Sequence, residues 1–166
     1  MTKERYIRMT SRVRAIVQRL PGGAGALRIP TYLCAAAYIA MLFHLMFLRD
    51  ARLVRALIAP AACFGAVTAL RPVIGKQRPY DRYGVPPVGE YTPGKGKSMP
   101  SRHTASAAAI AIAVCYIFPL PAVAAAMAAL TLLIAALRVL CGQHYPLDVL
   151  AAVALSGIIS AIGYMI

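Results

Sequence analysis

Three short groups of polar residues carry the chemistry open to this chain. Arg71 is followed after six residues by Arg78-Pro79, then comes Pro100-Ser101-Arg102-His103, then Arg138 with His144 and Asp148 at fixed intervals behind it. Guanidinium groups stay charged at physiological pH and fork onto phosphate oxygens. One imidazole can attack phosphorus while a second protonates the leaving oxygen. A carboxylate beside the attacking imidazole fixes its tautomer and steadies the charge it develops. Asp148 lies four residues beyond His144, which makes His144 the candidate nucleophile. His103 has no carboxylate close in sequence and is the candidate general acid. Together these residues are what phosphoryl transfer without a metal ion needs. Singly they have plainer readings: Arg71 and Arg78 as cations reaching for a membrane interface, His103 as a histidine satisfied at a helix start.

The elements that must position these groups are long and apolar. The chain is 60% hydrophobic and lacks Trp, and its mean hydropathy is +0.68. Its apolar runs are continuous rather than periodic, the pattern of an integral membrane protein. Spans are expected at Ile29–Leu48, Leu53–Leu70, Ser101–Phe118, Pro121–Arg138 and Val149–Ile166, with Phe118-Pro119-Leu120-Pro121 turning a helical hairpin. The second, short and rich in Ala and Gly, is expected to pack more against protein than lipid. The expected fold is therefore all-α, a polytopic bundle of about five transmembrane helices in one domain, 29–166. Before it, residues 1–28 form a basic arm whose apolar positions suggest an amphipathic helix on the membrane surface, ended by Pro21-Gly22-Gly23.

Between the second and third spans lies a basic loop, 71–103, rich in Pro and Gly and closing at the start of an apolar run. Unpaired N–H groups and the positive dipole end of that helix make Ser101 to His103 part of an anion cradle. Two spans separate the N-terminal arm from this loop, and two more separate the loop from Arg138–Asp148. Both polar groups must share one face of the membrane, and so can form one site.

The net charge of +13 falls at the ends of apolar segments, where anionic headgroups lie, and no zinc finger or aromatic-basic platform accompanies it. Membrane lipids, not nucleic acid, are the expected partners. Cys34, Cys63, Cys115 and Cys141 show no paired spacing and read as small core hydrophobes. Gly94-Lys95-Gly96-Lys97-Ser98 is not a nucleotide-binding loop, since Tyr91 stands where that motif needs Gly and no strand precedes it.

The three motifs, in order and spacing, resemble the type 2 phosphatidic acid phosphatase superfamily, with its membrane lipid phosphatases, glucose-6-phosphatase and vanadium haloperoxidases. That family's pattern is Lys-x6-Arg-Pro, Pro-Ser-Gly-His and Ser-Arg-x5-His-x3-Asp, matched here from Arg71 to Asp148. The resemblance implies Arg71, Arg78 and Arg138, helped by Ser101, as phosphate binders. It implies His103 as general acid, His144 as a nucleophile forming a phosphohistidine, and Asp148 as its orienting partner, with no metal and no cofactor. Three positions depart from the pattern. Arg71 replaces Lys, Arg102 replaces Gly and adds a possible phosphate contact, and Leu137 replaces Ser.

The function expected is hydrolysis of a lipid phosphate or lipid diphosphate. A phosphatase for soluble esters and a non-catalytic headgroup receptor are the alternatives. The expected location is a bacterial cytoplasmic membrane. Lys3, Arg5, Arg8, Arg12, Arg14, Arg19 and Arg28 place the arm, and with it the catalytic face, on the cytoplasmic side.

Overall fold

The structure, a computed structural model, describes residues 1–92 and 97–165. Gly94, Lys95 and Gly96 of the basic loop, and Ile166 at the end of the fifth expected span, lie outside the described residues. Every regular element described is helical: α1 (Lys3–Val17), α2 (Ile29–Phe47), α3 (Arg52–Ile74), the short α4 (Pro79–Tyr83), α5 (Arg102–Ile117), α6 (Pro121–Leu140) and α7 (Pro146–Met165), with a six-residue 3-10 turn, Gly23–Arg28, leading into α2.

Four stretches, Gly23–Phe47, Arg52–Tyr83, Pro121–Leu140 and Pro146–Met165, are long and apolar enough to cross a membrane. The expected third span is the shorter α5, at 16 residues. It sits in the middle of the bundle, packed on α2, α3, α6 and α7. Its alanines explain that place. Ala105, Ala109 and Ala113 are buried against Cys63 and Val67 of α3, Ala152 of α7 and the cluster around Met41, Leu45 and Ile134. Small side chains let neighbouring backbones come close, and van der Waals packing then holds helices that no hydrophobic effect drives together in lipid.

The second span departs from expectation. In α3, Ala56, Ala59, Cys63 and Val67 face protein, but Val54, Leu57, Ile58, Phe64 and Val73 are exposed. It is α5, not α3, that protein surrounds. Around the bundle Phe43, Phe47, Leu132, Leu150, Ile158 and Ile162 also point outward, an apolar surface suited to lipid. Some of the polar groups buried inside are paired with backbone carbonyls. Ser156 Oγ donates to the Ala152 and Ala105 carbonyls at 2.8 and 3.0 Å, and Tyr38 donates to the Ala56 carbonyl at 2.8 Å.

The helices also reach further than their apolar runs. Arg71 belongs to the last turn of α3 and Arg138 to the last turn of α6. Rigid helices, rather than loops, thus aim these two cations. At the far end of the bundle Asp50 closes the α2–α3 turn, accepting from the Arg52 N–H at 2.8 Å and pairing with its guanidinium at 2.7 Å.

The N-terminal arm is a helix, as its spacing suggests, but it ends at Val17, before the Pro-Gly-Gly turn. Gly22 and Gly23, with φ of +83° and +53°, then turn the chain toward α2. Nor does α1 simply lie on the surface. Tyr6, Thr10 and Val17 are buried against the catalytic end of the bundle, while Ile7 and Ile16 point away.

Candidate active site

The ends of α3, α5 and α6, the loop after α3 and the turn before α7 meet around a polar cavity of about 110 Å³. Arg71, Arg78, Arg102, His103, Arg138 and His144 all line it, with Thr92, Glu90 and Gln143. Three stretches of chain far apart in sequence therefore converge, as the topology requires. Two expected site residues stand behind the cavity rather than on it. Ser101 is fully buried at the N-cap of α5; its hydroxyl accepts from Thr104 Oγ1 at 3.1 Å, and its N–H donates to the Asp148 carbonyl at 3.1 Å. Asp148 is fully buried beneath His144.

Each position follows from local structure. His144 sits in the tight turn between α6 and α7, where the Gln143 and His144 N–H groups both donate to the Arg138 carbonyl, at 3.0 and 3.1 Å. That turn needs Gly142 at φ +76°, a conformation that costs a side-chain-bearing residue. Pro146 then opens α7, with Asp148 in its first turn. His103 and Arg102 begin α5, whose first-turn N–H groups have no intrahelical acceptor, so the positive end of the helix dipole faces the cavity.

His144 Nδ1 lies 3.7 Å from Asp148 Oδ2, beyond hydrogen-bond distance, and has no other partner among the described residues. The carboxylate is already engaged. Lys76 Nζ meets Oδ1 at 2.6 Å, while Ser98 Oγ and the Tyr145 N–H, the latter at 2.9 Å, donate to Oδ2. Burial holds the His144 imidazole below the usual histidine range, with Arg78 and Arg71 adding to it, against the opposing pull of Asp148. The ring is accordingly neutral at physiological pH.

Lys76, Ser98 and Gln143 contact Asp148 and Arg138 in this cluster, and motif reading missed them. Gln143 takes a hydrogen bond from Arg138 Nη1 at 2.6 Å and holds that guanidinium at the cavity. Their only sequence signal is proximity: Lys76 within the basic loop, Ser98 just before Pro100, and Gln143 beside His144.

The arginines are short of counter-charge. Arg71 donates through one Nη to the Lys97 carbonyl, but the buried Nε groups of Arg71 and Arg78 have no partner among the described residues. Glu90, the carboxylate on the wall, is paired outward to Arg28 at 3.0 Å. Four guanidinium groups around so small a cavity repel one another until an anion enters. An apolar groove of about 400 Å³ opens beside the cavity, running from Arg102 and His103 past Phe64, Ser106 and Ile110 toward Ile134.

No curated protein matches this sequence. Two crystal structures share the fold: Aquifex aeolicus LpxE, with TM-score 0.72 at 22% identity over 98% of this chain and 94% of that one, and a transmembrane PAP2 type phosphatidylglycerolphosphate phosphatase from Bacillus subtilis, with TM-score 0.71 at 18% identity over 98% and 84%. The family model of the PAP2 superfamily matches residues 52–166, a stretch that holds all three motifs and every residue lining the polar cavity. The chain belongs to the PAP2 superfamily and is a membrane phosphatase of that kind.

Proposed function

We propose that the protein hydrolyses a lipid phosphate or lipid diphosphate through a phosphohistidine at His144. The observation that carries this reading is the cavity itself: four arginines and two histidines around about 110 Å³, beside an apolar groove. Arg71, Arg78, Arg102 and Arg138 bind the phosphoryl oxygens and offset the charge that spreads over them in the transition state. His144 turns Nδ1 toward Asp148, which leaves Nε2 to attack phosphorus. Asp148 supports the imidazolium character that develops as that bond forms. His103, which lines both the cavity and the groove, gives its proton to the leaving oxygen. Water then takes the phosphoryl group from His144. Ser101 acts one step back, fixing the start of α5 to Asp148.

The groove favours a lipid over a soluble ester. A chain lying along Phe64 and Ile110 stays in an apolar environment while its headgroup reaches the cations. A headgroup receptor needs neither nucleophile nor acid, and His144, His103 and Asp148 stand together here. The B. subtilis protein of similar fold is named for a lipid phosphate substrate, which agrees with this choice. No metal ion enters the scheme, since guanidinium groups supply the positive charge.

The test is phosphate release by protein purified in detergent, from phosphatidic acid, phosphatidylglycerol phosphate and prenyl phosphates, with and without chelator. Release that survives chelation, inhibition by vanadate and an acid-labile phosphoenzyme are the expected results. A requirement for magnesium, or release from soluble esters alone, would overturn the reading.

A further inference from the structure

We propose that the cavity between the turn before α2 and the end of α6 is the passage by which inorganic phosphate leaves the catalytic cavity, apart from the groove that takes the lipid. The proposal rests on the reading of His144 as the group that carries phosphate, and adds a route away from it.

This passage, of about 400 Å³, runs from Ala24, Gly25 and Arg28 to Arg138 and Gln143. Glu90, Arg138 and Gln143 line it and the catalytic cavity alike. It shares no residue with the apolar groove, which meets the catalytic cavity at Arg102 and His103. The catalytic cavity thus has two separate neighbours. In the wall toward the passage, Gln143 Oε1 accepts from Arg138 Nη1 at 2.6 Å, and its Nε2 donates to the Glu90 carbonyl at 3.5 Å. Rotating that side chain breaks only these two bonds.

The two products need different exits. The lipid product is apolar and goes back along the groove. Phosphate carries up to about two negative charges, and an unpaired charge in apolar surroundings is costly. Its path needs a cation at the start and water at the end. Arg138, common to both cavities, supplies the cation. Arg28 and Glu90 mark the water: they pair at 3.0 Å with about half of each side chain exposed, and charges so exposed lie in water or among headgroups rather than in hydrocarbon.

An exit must also hold phosphate less tightly than the site it drains. The catalytic cavity sets four guanidinium groups against Glu90, whereas the passage sets only Arg28 and Arg138 against that same carboxylate. Another cavity, around Thr68, fails this condition. It adds Lys97 to Arg71, Arg78 and Arg102, with no carboxylate among the described residues that line it, and so retains phosphate instead of releasing it.

Inorganic phosphate alone tests the route, through exchange of its oxygens with heavy-oxygen water. His144 attacks bound phosphate, and the bond from Nε2 to phosphorus forms as a P–OH bond breaks. That oxygen leaves as water with a proton from His103. Labelled water then reverses the step, returning a proton to His103 and the electron pair to Nε2. The number of oxygens exchanged in one visit measures how this chemistry competes with escape. Ala24→Trp and Gly25→Trp narrow the passage at positions that line none of the other three cavities. A Cβ on Gly25 meets nothing within 4 Å, so the turn has room for it. Adjacent positions in a 3-10 turn point about 120° apart, so the two variants probe different directions. In at least one, escape should slow by about tenfold, seen as a shift from singly to multiply exchanged phosphate. The calorimetric affinity for phosphate should stay that of wild type, because a barrier slows entry and exit together. Gly25→Leu, a smaller plug, should give a smaller shift and replaces either Trp variant that fails to fold. A wild-type distribution in every folded variant, or a shift matched by tighter phosphate binding, overturns the passage alone. Wild type that exchanges no oxygen removes the phosphohistidine reading, and the passage with it.

Discussion

Asp148 accepts from Lys76 on one oxygen and from Ser98 and the Tyr145 N–H on the other, leaving His144 at 3.7 Å. Lys76 therefore sets how strongly the carboxylate acts on the imidazole. His144 attacks only when neutral, and burial keeps it neutral below the ordinary histidine value of 6.5. Activity should accordingly hold through pH 6.5 and fall only as the pH drops through the lowered value. Lys76→Met should move that acid limb to higher pH, because a carboxylate stripped of its counter-charge stabilises the imidazolium more. Ionisation of the substrate's own phosphate is common to both proteins, so the displacement between their kcat/KM profiles isolates His144. Superimposable profiles would deny Lys76 this role. His144→Ala should remove turnover altogether while the helical signal in detergent stays. Residual activity above about a hundredth of wild type is incompatible with a nucleophile, whose loss costs several kcal/mol of barrier.

At the scale of elements, α1 acts as a clamp on the turn that carries His144. Tyr6 donates to the Val85 carbonyl at 3.1 Å and lies against the Gly142 carbonyl at 3.4 Å, and Arg14 donates to the Pro86 carbonyl at 3.1 Å. Burial pushes the Tyr6 phenol up to about 12, so it stays a donor across the working range. A Cβ on Gly142 would lie 2.6 Å from the Tyr6 ring and hydroxyl and 2.8 Å from Thr10 Cγ2. Gly142→Ala should therefore destabilise the catalytic end by about 2 kcal/mol or more, since overpacking adds to the cost of a positive φ. Thermal unfolding in detergent checks this. Adding Tyr6→Ala should recover the packing part but not the backbone part, and full recovery or none would show the clamp misread. This element also marks where the sequence stopped being legible. The motif residues could be read because each chemical role demands a residue type at a set distance, and the bundle because lipid demands long apolar runs. The docking of α1 could not. Tyr6, Thr10 and Val17 look like part of a surface helix until the partner backbone at Val85 and Gly142 is known. Lys76 and Ser98 escaped for the same reason, since nothing local ties either to Asp148, 72 and 50 residues away. The lipid face of α3 escaped because Ala and Gly content does not say which side of a helix they occupy.

For the whole molecule, the docking of α1 decides which groups share a side of the membrane. The arm touches the loop after α4 and the Gly142 turn, so its basic residues and the catalytic end lie at one end of the bundle. Arg49, Arg52 and Arg55 lie at the other, and there Asp50 offsets Arg52. Several catalytic-end cations are accounted for by phosphate binding and say nothing about orientation. Lys3, Arg5, Arg8 and Arg12 are free of that objection: they are exposed on α1 and line no catalytic cavity. Basic residues within reach of a span's end are retained on the cytoplasmic side, and anionic lipid there attracts each by about 1 kcal/mol. We therefore propose that the catalytic end faces the cytoplasm. With α2, α3, α5, α6 and α7 each carrying the chain across, the end of α7 emerges opposite. A reporter fused after Ile166 should be active as alkaline phosphatase, which needs an oxidising exterior, and dark as a fluorescent protein that folds in the cytoplasm. The reverse pattern would place the site outside and assign the arm's charge to the outer leaflet's anionic lipids. Replacing Lys3, Arg5, Arg8 and Arg12 with Gln supplies the second arm of the test. If these charges set the orientation, the two reporter signals should become mixed, whereas an unaltered pattern would show that the bundle orients itself without them.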